Sequence, residues 1–390
     1  MRAAVSTVWR HPSSRAVALV FAFVSTLYGT WLARIPEMQH ALDLSETALG
    51  WALLGAPVGM LCVMPVAGWM IARWSAGPVT LGAAVAFAAV LSAPAWAWNG
   101  WALAGGLVLI GVTDGVLNVA MNARANAVEE RRETPILSTC HGFFSVGGMV
   151  GAGVGSATAA LGLPLHVSLI GVGVGGLVMV GLHHRELRSG ATPQSAGPVF
   201  ALPTRALLGV ALLVFCVLLS EGAVSNWSAV YLRNALNASA SVAALGYASF
   251  SLTMAVGRFY GDRLTHRLGP QRVVQMGGAF AAIGLGSGVL IGHPIAALVG
   301  FGLMGLGYAT LIPVLFRTAA QMPGLAPGTS LAAVASVGYL GLFAGPPALG
   351  GLADAWGLAW VMGVLAALSA LVALNAHWVL PNRVLATAES

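Results

Sequence analysis

Apolar stretches of about 20 residues, parted by short polar or Gly/Pro-containing breaks, follow one another along almost the whole chain. A helix rising about 1.5 Å per residue needs roughly that length to cross the hydrocarbon core of a bilayer. The pattern predicts spans at 15–34, 47–71, 79–97, 101–123, 136–160 and 164–182, then 206–231, 241–259, 273–291, 295–316, 329–352 and 358–380. Barrel strands would alternate over about 10 residues, and these uninterrupted runs do not. The longest polar break, His183 to Arg205, divides the spans six and six. It sets the expected units: a bundle over 1–182, a linker over 183–205 and a second bundle over 206–390. The halves repeat weakly, with Trp31, Ser45, Leu49 and Gly50 returning 196 residues later as Trp227, Ser241, Leu245 and Gly246. A short hairpin follows in each half and ends in Gly-Pro, at Gly77-Pro78 and at Gly269-Pro270.

Composition agrees with an all-α, multi-pass membrane protein. Hydrophobic residues make up 58% of the 390 and charged residues only 8%, with a mean hydropathy of +0.84. A water-soluble domain needs about three times that share of charge. The 51 glycines suit close helix packing in lipid. The net charge of +6 is not a nucleic-acid footprint, because the arginines sit in short breaks between spans. There is no lysine. With the N-terminus in the cytoplasm, 16 of the 18 arginines fall on the cytoplasmic side, and only Arg34 and Arg233 lie outside. This follows the positive-inside rule and puts both termini in the cytoplasm. Trp96, Trp98, Trp101 and Trp356 fall at outer helix ends, where an aromatic belt is expected. The first apolar run lacks a small-residue cleavage site and reads as an uncleaved helix. Cys62, Cys140 and Cys216 lie inside apolar runs, with no disulfide or metal spacing. No GxxxxGK[ST] loop, HExxH or GxSxG elbow is present, so direct ATP drive and enzyme readings have no support.

Two sets of six spans, a central linker and the hairpin GRFYGDRLTHRLGPQR (Gly257–Arg272) resemble the major facilitator superfamily. More narrowly, GTWLARIP (Gly29–Pro36), the stretch Gly111–Gly148 and EGAVSNWSAVYL (Glu221–Leu232) are similar to its fucose-permease-like bacterial branch. The resemblance covers almost the whole chain. It implies two six-helix bundles rocking about a central site and secondary transport. Two departures stand out. Ala72 replaces the usual Asp of the first-half hairpin, which weakens any latch there. The fifth span lacks the Gly-Pro motif of proton-driven drug antiporters and carries Gly147, Gly151 and Gly155 instead.

Polar residues inside the spans mark the candidate site, because they are costly in lipid and should face a protein-lined cavity. Asp114, Asn118 and Asn122 fall at i, i+4 and i+8 and form one stripe of the fourth span; Ser138, His141 and Ser145 form another on the fifth. Asp114, near the middle of its span, is the first-choice proton carrier, against a structural acid bonded to a neighbouring helix. Glu221, the acid inside the seventh span, is a second carrier, a substrate acceptor, or an outer solvated group. His141 is a proton relay or a substrate donor, against a buried histidine that only hydrogen-bonds helices together. Arg34 either binds substrate or pairs with Glu37. By resemblance, the first and seventh spans pack around the cavity. Tyr28, Trp31, Asn226 and Trp227 would then stack on and read a sugar-like ring along with Asn118 and Asn122, unless the aromatics are belt residues. Tyr339 joins them, with Tyr247 and Tyr308 of the same kind. Arg258, Asp262, Arg263 and Arg267 form a candidate gating network in the hairpin after the eighth span. The expected protein is a monomeric secondary transporter of the bacterial inner membrane without cofactor or metal. It would move a small polar solute, a sugar or sugar derivative favoured, with protons. Export of a drug or metabolite is the alternative, and a non-transporting sensor or scaffold the alternative of another class.

Overall fold

The computed structural model describes residues 8–132, 136–188, 201–322 and 326–380, with only the backbone at Asp262 and Pro327. Among the described residues, twelve helices are long and apolar enough to cross a membrane. In the first half they are α1 (Pro12–Leu32), α2 (Glu46–Trp74), α3 (Ala76–Trp96), α4 (Gly100–Arg132), α5 (Leu137–Ala160) and α6 (Leu165–Leu182). In the second they are α7 (Arg205–Ala235), α8 (Ala240–Leu268), α9 (Pro270–Ile291), α10 (Pro294–Ala320), α11 (Pro327–Trp356) and α12 (Leu358–Val379). All twelve apolar runs of the sequence are therefore helices. Two outrun their apolar windows by nine residues. α4 continues to Arg132, and its Glu129 carboxylate accepts the Ile136 and Leu137 amides at 2.8 and 3.0 Å, capping the start of α5. α8 likewise extends to Leu268.

Packing repeats with a period of six helices. Helix pairs 1–5, 2–4, 3–4, 3–6 and 1–6 of the first half recur as 7–11, 8–10, 9–10, 9–12 and 7–12. The halves meet along α5–α8 and α2–α11, which the same period also relates. Residue by residue the repeat is looser than the sequence match. Ser45 Oγ caps α2 by accepting the Ala48 amide at 3.2 Å, but its counterpart on α8 is Ser239, accepting from Val242 at 3.3 Å, rather than Ser241. The Gly-Pro pairs are not equivalent either. Gly269 turns the second hairpin at φ 82°, whereas Ser75 does so in the first at φ 69°, a backbone region uncomfortable for any residue with a Cβ.

Close approach within the first half depends on glycine. A Cβ on Gly147 or Gly151 of α5 would sit on the backbone of Ala22 or Thr26 in α1, and Thr30 Oγ donates across this seam to the Gly151 carbonyl at 3.1 Å. α2 and α10 are each interrupted just ahead of a proline. Proline offers no N–H to the carbonyl four residues earlier. Pro57 accordingly marks the break at Leu54 in α2, and Pro313 the break at Ala309–Thr310 in α10.

The two halves are fastened at the end away from the chain termini. α2 meets α11 mainly through its first segment, Glu46–Leu53. There the Asp354 carboxylate of α11 accepts the Glu46 and Thr47 amides, both at 3.0 Å. His40 meets Asn234 at 3.0 Å, Asn234 donates to Gln39 at 3.0 Å, and Ser156 Oγ donates to the Ser241 carbonyl at 2.8 Å. Trp96, Trp98, Trp101 and Trp356 are exposed on the outside of the bundle.

Candidate functional site

Between the halves lies a cavity of about 330 Å³, walled by α1, α2, α4 and α5 on one side and α7, α8 and α11 on the other. Seven residues singled out in the sequence line it: Tyr28, Trp31, Asp114, Glu221, Asn226, Tyr247 and Tyr339. The break in α2 contributes Leu53, Ala56 and Pro57. Most of the remaining wall is aliphatic or aromatic, including Met60, Met64, Phe144 and Phe343.

The two acids face the cavity from opposite halves and have different company. Asp114 on α4 is 9% exposed, with the Tyr28 hydroxyl of α1 beside it. Glu221 on α7 has the Arg258 guanidinium of α8 at 3.9 Å. That guanidinium also donates across the seam to α5, reaching Ser145 Oγ at 2.8 Å and the His141 carbonyl at 3.2 Å. One arginine therefore touches the acid of its own half and the backbone of the other.

Tyr247 lines the cavity from α8. Its hydroxyl, with those of Ser251 and of Ser25 from α1, converges on the bare Cα face of Gly148. A side chain at 148 would wedge this meeting point apart.

Other residues singled out in the sequence lie elsewhere. Trp227 is fully buried in the core, because it stands two positions from Ser225 and so about 200° around α7 from the cavity-lining face. Arg34 is 4% exposed at the far end of α1. It pairs with Glu37 and donates to Thr158 Oγ at 3.1 Å, Ser168 Oγ at 3.3 Å and the Leu163 carbonyl at 2.8 Å. It clamps α1 to the α5–α6 connection and lines a separate recess together with Arg233. Asn118 and Asn122 continue the Asp114 stripe but bond to each other, Nδ2 to Oδ1 at 3.3 Å, outside the cavity lining. The His141 ring packs edge-on against Phe21, with centroids 5.2 Å apart, and does not line the cavity. Arg258 turns inward toward Glu221, away from the hairpin, while Arg263 and Arg267 are exposed. The Asp262 side chain lies outside the described part.

Two participants escape a reading of the sequence. Ser225 follows Glu221 by one turn and lines the cavity beside it, a signal present in the i, i+4 spacing. Asp354 has no such pattern, since nothing along the chain shows that the start of α2 lies beside the end of α11.

The Major Facilitator Superfamily model matches residues 16–209 and again 210–389. An uncharacterised MFS-type transporter of Yersinia pestis is 32% identical over 359 residues, 92% of this chain and 94% of its own length. The membrane protein MosC of Rhizobium meliloti is 29% identical over 92% of this chain and 88% of its own. Among solved structures, a mutant form of the nucleoside transporter NupG superposes with a TM-score of 0.73 at 13% identity, covering 95% of this chain and all of that one. A mutant form of the E. coli fucose:proton symporter FucP does so with a TM-score of 0.63 at 17% identity, covering 95% of this chain and 98% of that one. At these identities the two structures speak for the fold.

Proposed function

Because this chain belongs to the major facilitator superfamily, as a multi-pass membrane transporter, we propose that it carries a small polar solute across the bacterial inner membrane by proton-coupled alternating access. The observation that carries this reading is the opposition of Asp114 and Glu221, one from each half, across a single cavity. Carboxylates at this depth are expensive and are kept where ions or protons move. Each charge driven through the membrane gains about 2.3 kcal/mol per 100 mV.

Asp114 is the first-choice proton carrier, since its polar partner among the described residues is a neutral phenol. Glu221 is the second. Tyr28, Trp31, Asn226, Tyr247 and Tyr339 hold the solute. With the termini in the cytoplasm, the fastened end is periplasmic and the cavity belongs to the inward-facing half of the cycle. The likeness in fold to FucP, a fucose:proton symporter, supports coupled uptake of a sugar-like solute. One observation favours the second reading, export: the cavity wall is mostly aliphatic and aromatic.

The test starts with thermal stabilisation of the purified protein by sugars, polyols, organic acids and organic cations, since a ligand of the folded state raises its melting temperature. A radiolabelled hit is then followed into proteoliposomes carrying a pH gradient. Wild type should accumulate the solute uphill and Asp114→Asn should not. Uphill accumulation by Asp114→Asn would sink the carrier assignment, and binding without any flux would replace the transporter with a sensor.

A further inference from the structure

Hydrogen bonding in the cavity is uneven. Ser225 donates its proton to the Glu221 carbonyl at 2.8 Å and Asn226 gives one amide N–H to the Gly222 carbonyl at 3.0 Å. The second Asn226 N–H, the Trp31 indole N–H and the Tyr339 hydroxyl stay available as donors, beside the carboxylate oxygens, the Asn226 carbonyl oxygen and hydroxyl lone pairs as acceptors. No arginine or histidine is among the described residues that line the cavity, and the chain has no lysine.

The charges are lopsided as well. Glu221 has Arg258 behind it, and that guanidinium is further held by Ser145 and the His141 carbonyl on α5. Among the described residues no ion pair reaches Asp114. Two carboxylates and one guanidinium leave a single uncompensated negative charge in a site that is 9% exposed at Asp114. A carboxylate withdrawn from water takes up either a proton or a cationic partner, one at a time, and none of the described residues provides the cation. Beside it, Tyr28, Trp31 and Phe343 give aromatic surface, which attracts cations and apolar rings alike.

We infer that the solute of this cavity is an organic monocation: a ring compound whose single ammonium group pairs with Asp114, whose ring rests on the aromatic wall, and which bears no carboxylate or phosphate. The inference rests on the transport reading above and narrows it. An amino derivative of a sugar satisfies both, whereas a sugar acid or a phosphorylated sugar has no counter-charge to meet.

Two matched series test it by calorimetric titration of the purified full-length protein: glucosamine, glucose and glucuronate for a hydroxylated ring, and 2-phenylethylamine, 2-phenylethanol and phenylacetate for an apolar one. In at least one series the amine should bind at least about tenfold more tightly than the alcohol, about 1.4 kcal/mol, and the acid should not bind at millimolar concentration. Asp114→Asn should erase the preference for the amine, while a substitution on the outside of the bundle, Trp98→Phe, keeps it. The wild-type comparison stands by itself if Asp114→Asn fails to fold. Equal binding of alcohol and amine, tighter binding of an acid, or no binding by either amine overturns the inference. Flux in proteoliposomes separates this result from the transport reading. Amine preference without flux removes the transporter and keeps the ligand class; flux of a neutral or acidic solute without amine binding does the reverse.

Discussion

Asp114 and Glu221 occupy opposite walls of one cavity, and their neighbours make them different groups. The acid of the first half has a phenol beside it and, among the described residues, no cation. The acid of the second half has a guanidinium at 3.9 Å, which is itself tied across to the first half. The pairwise packing of the helices repeats between the halves, but the chemistry does not. The period of six helices does not relate the two acids, since α4 corresponds to α10 and α7 to α1; each half places its acid on a different helix, one free to exchange its charge and the other a fastening.

If that contrast is right, its largest consequence is functional. Asp114→Asn should lower uphill accumulation in proteoliposomes to the passive leak, whereas Glu221→Gln should keep a measurable part of it. Equal loss in both variants would abolish the distinction. Next in size is Arg258→Gln, which leaves Glu221 without its partner and removes two donors to α5. It should cost about 1–3 kcal/mol in thermal unfolding of the purified protein. Adding Glu221→Gln to it should restore part of that loss, and strict additivity would show the two groups to be uncoupled. Tyr28→Phe sharpens the other side of the comparison. Loss of the hydroxyl beside Asp114 should change cargo affinity about fivefold, or about 1 kcal/mol, without altering the fold. Smallest is Glu221→Gln by itself. It should change stability by less than about 1 kcal/mol, since the pair is long, partly exposed, and Arg258 keeps its bonds to Ser145 and His141.

Much of the fold was legible because bilayer thickness imposes a length on every apolar run, and a twelvefold repetition of that length leaves little choice. The helix breaks in α2 and α10 were legible in principle from Pro57 and Pro313. The site was legible in part. Asp114 and Glu221 stand out since charge within a span is rare, and Tyr28 and Asn226 follow from lying on the same helices as Trp31 and Glu221. What periodicity cannot supply is the direction each stripe faces. Trp227 looks like a partner of Trp31 on the repeat, yet α7 turns it into the core. Arg34 reads as a substrate ligand or a partner of Glu37; it pairs with Glu37, and the same guanidinium also closes the α5–α6 connection. Arg258 reads with Arg263 and Arg267 as part of a hairpin, but one helical turn carries it inward to Glu221. Each of these depends on a neighbour distant in sequence, which no window along the chain contains.

Asp354 carries a consequence of another kind. Its carboxylate caps the first turn of a helix that belongs to the other half of the molecule, accepting the Glu46 and Thr47 amides. A cap is the part of a helix most easily replaced by solvent, since the freed amides can bond water instead. Parting the halves here therefore exchanges two protein bonds for hydration and creates no buried orphan. The fastening thus answers to water activity: solutes excluded from the protein surface should hold this end shut, and dilution should loosen it.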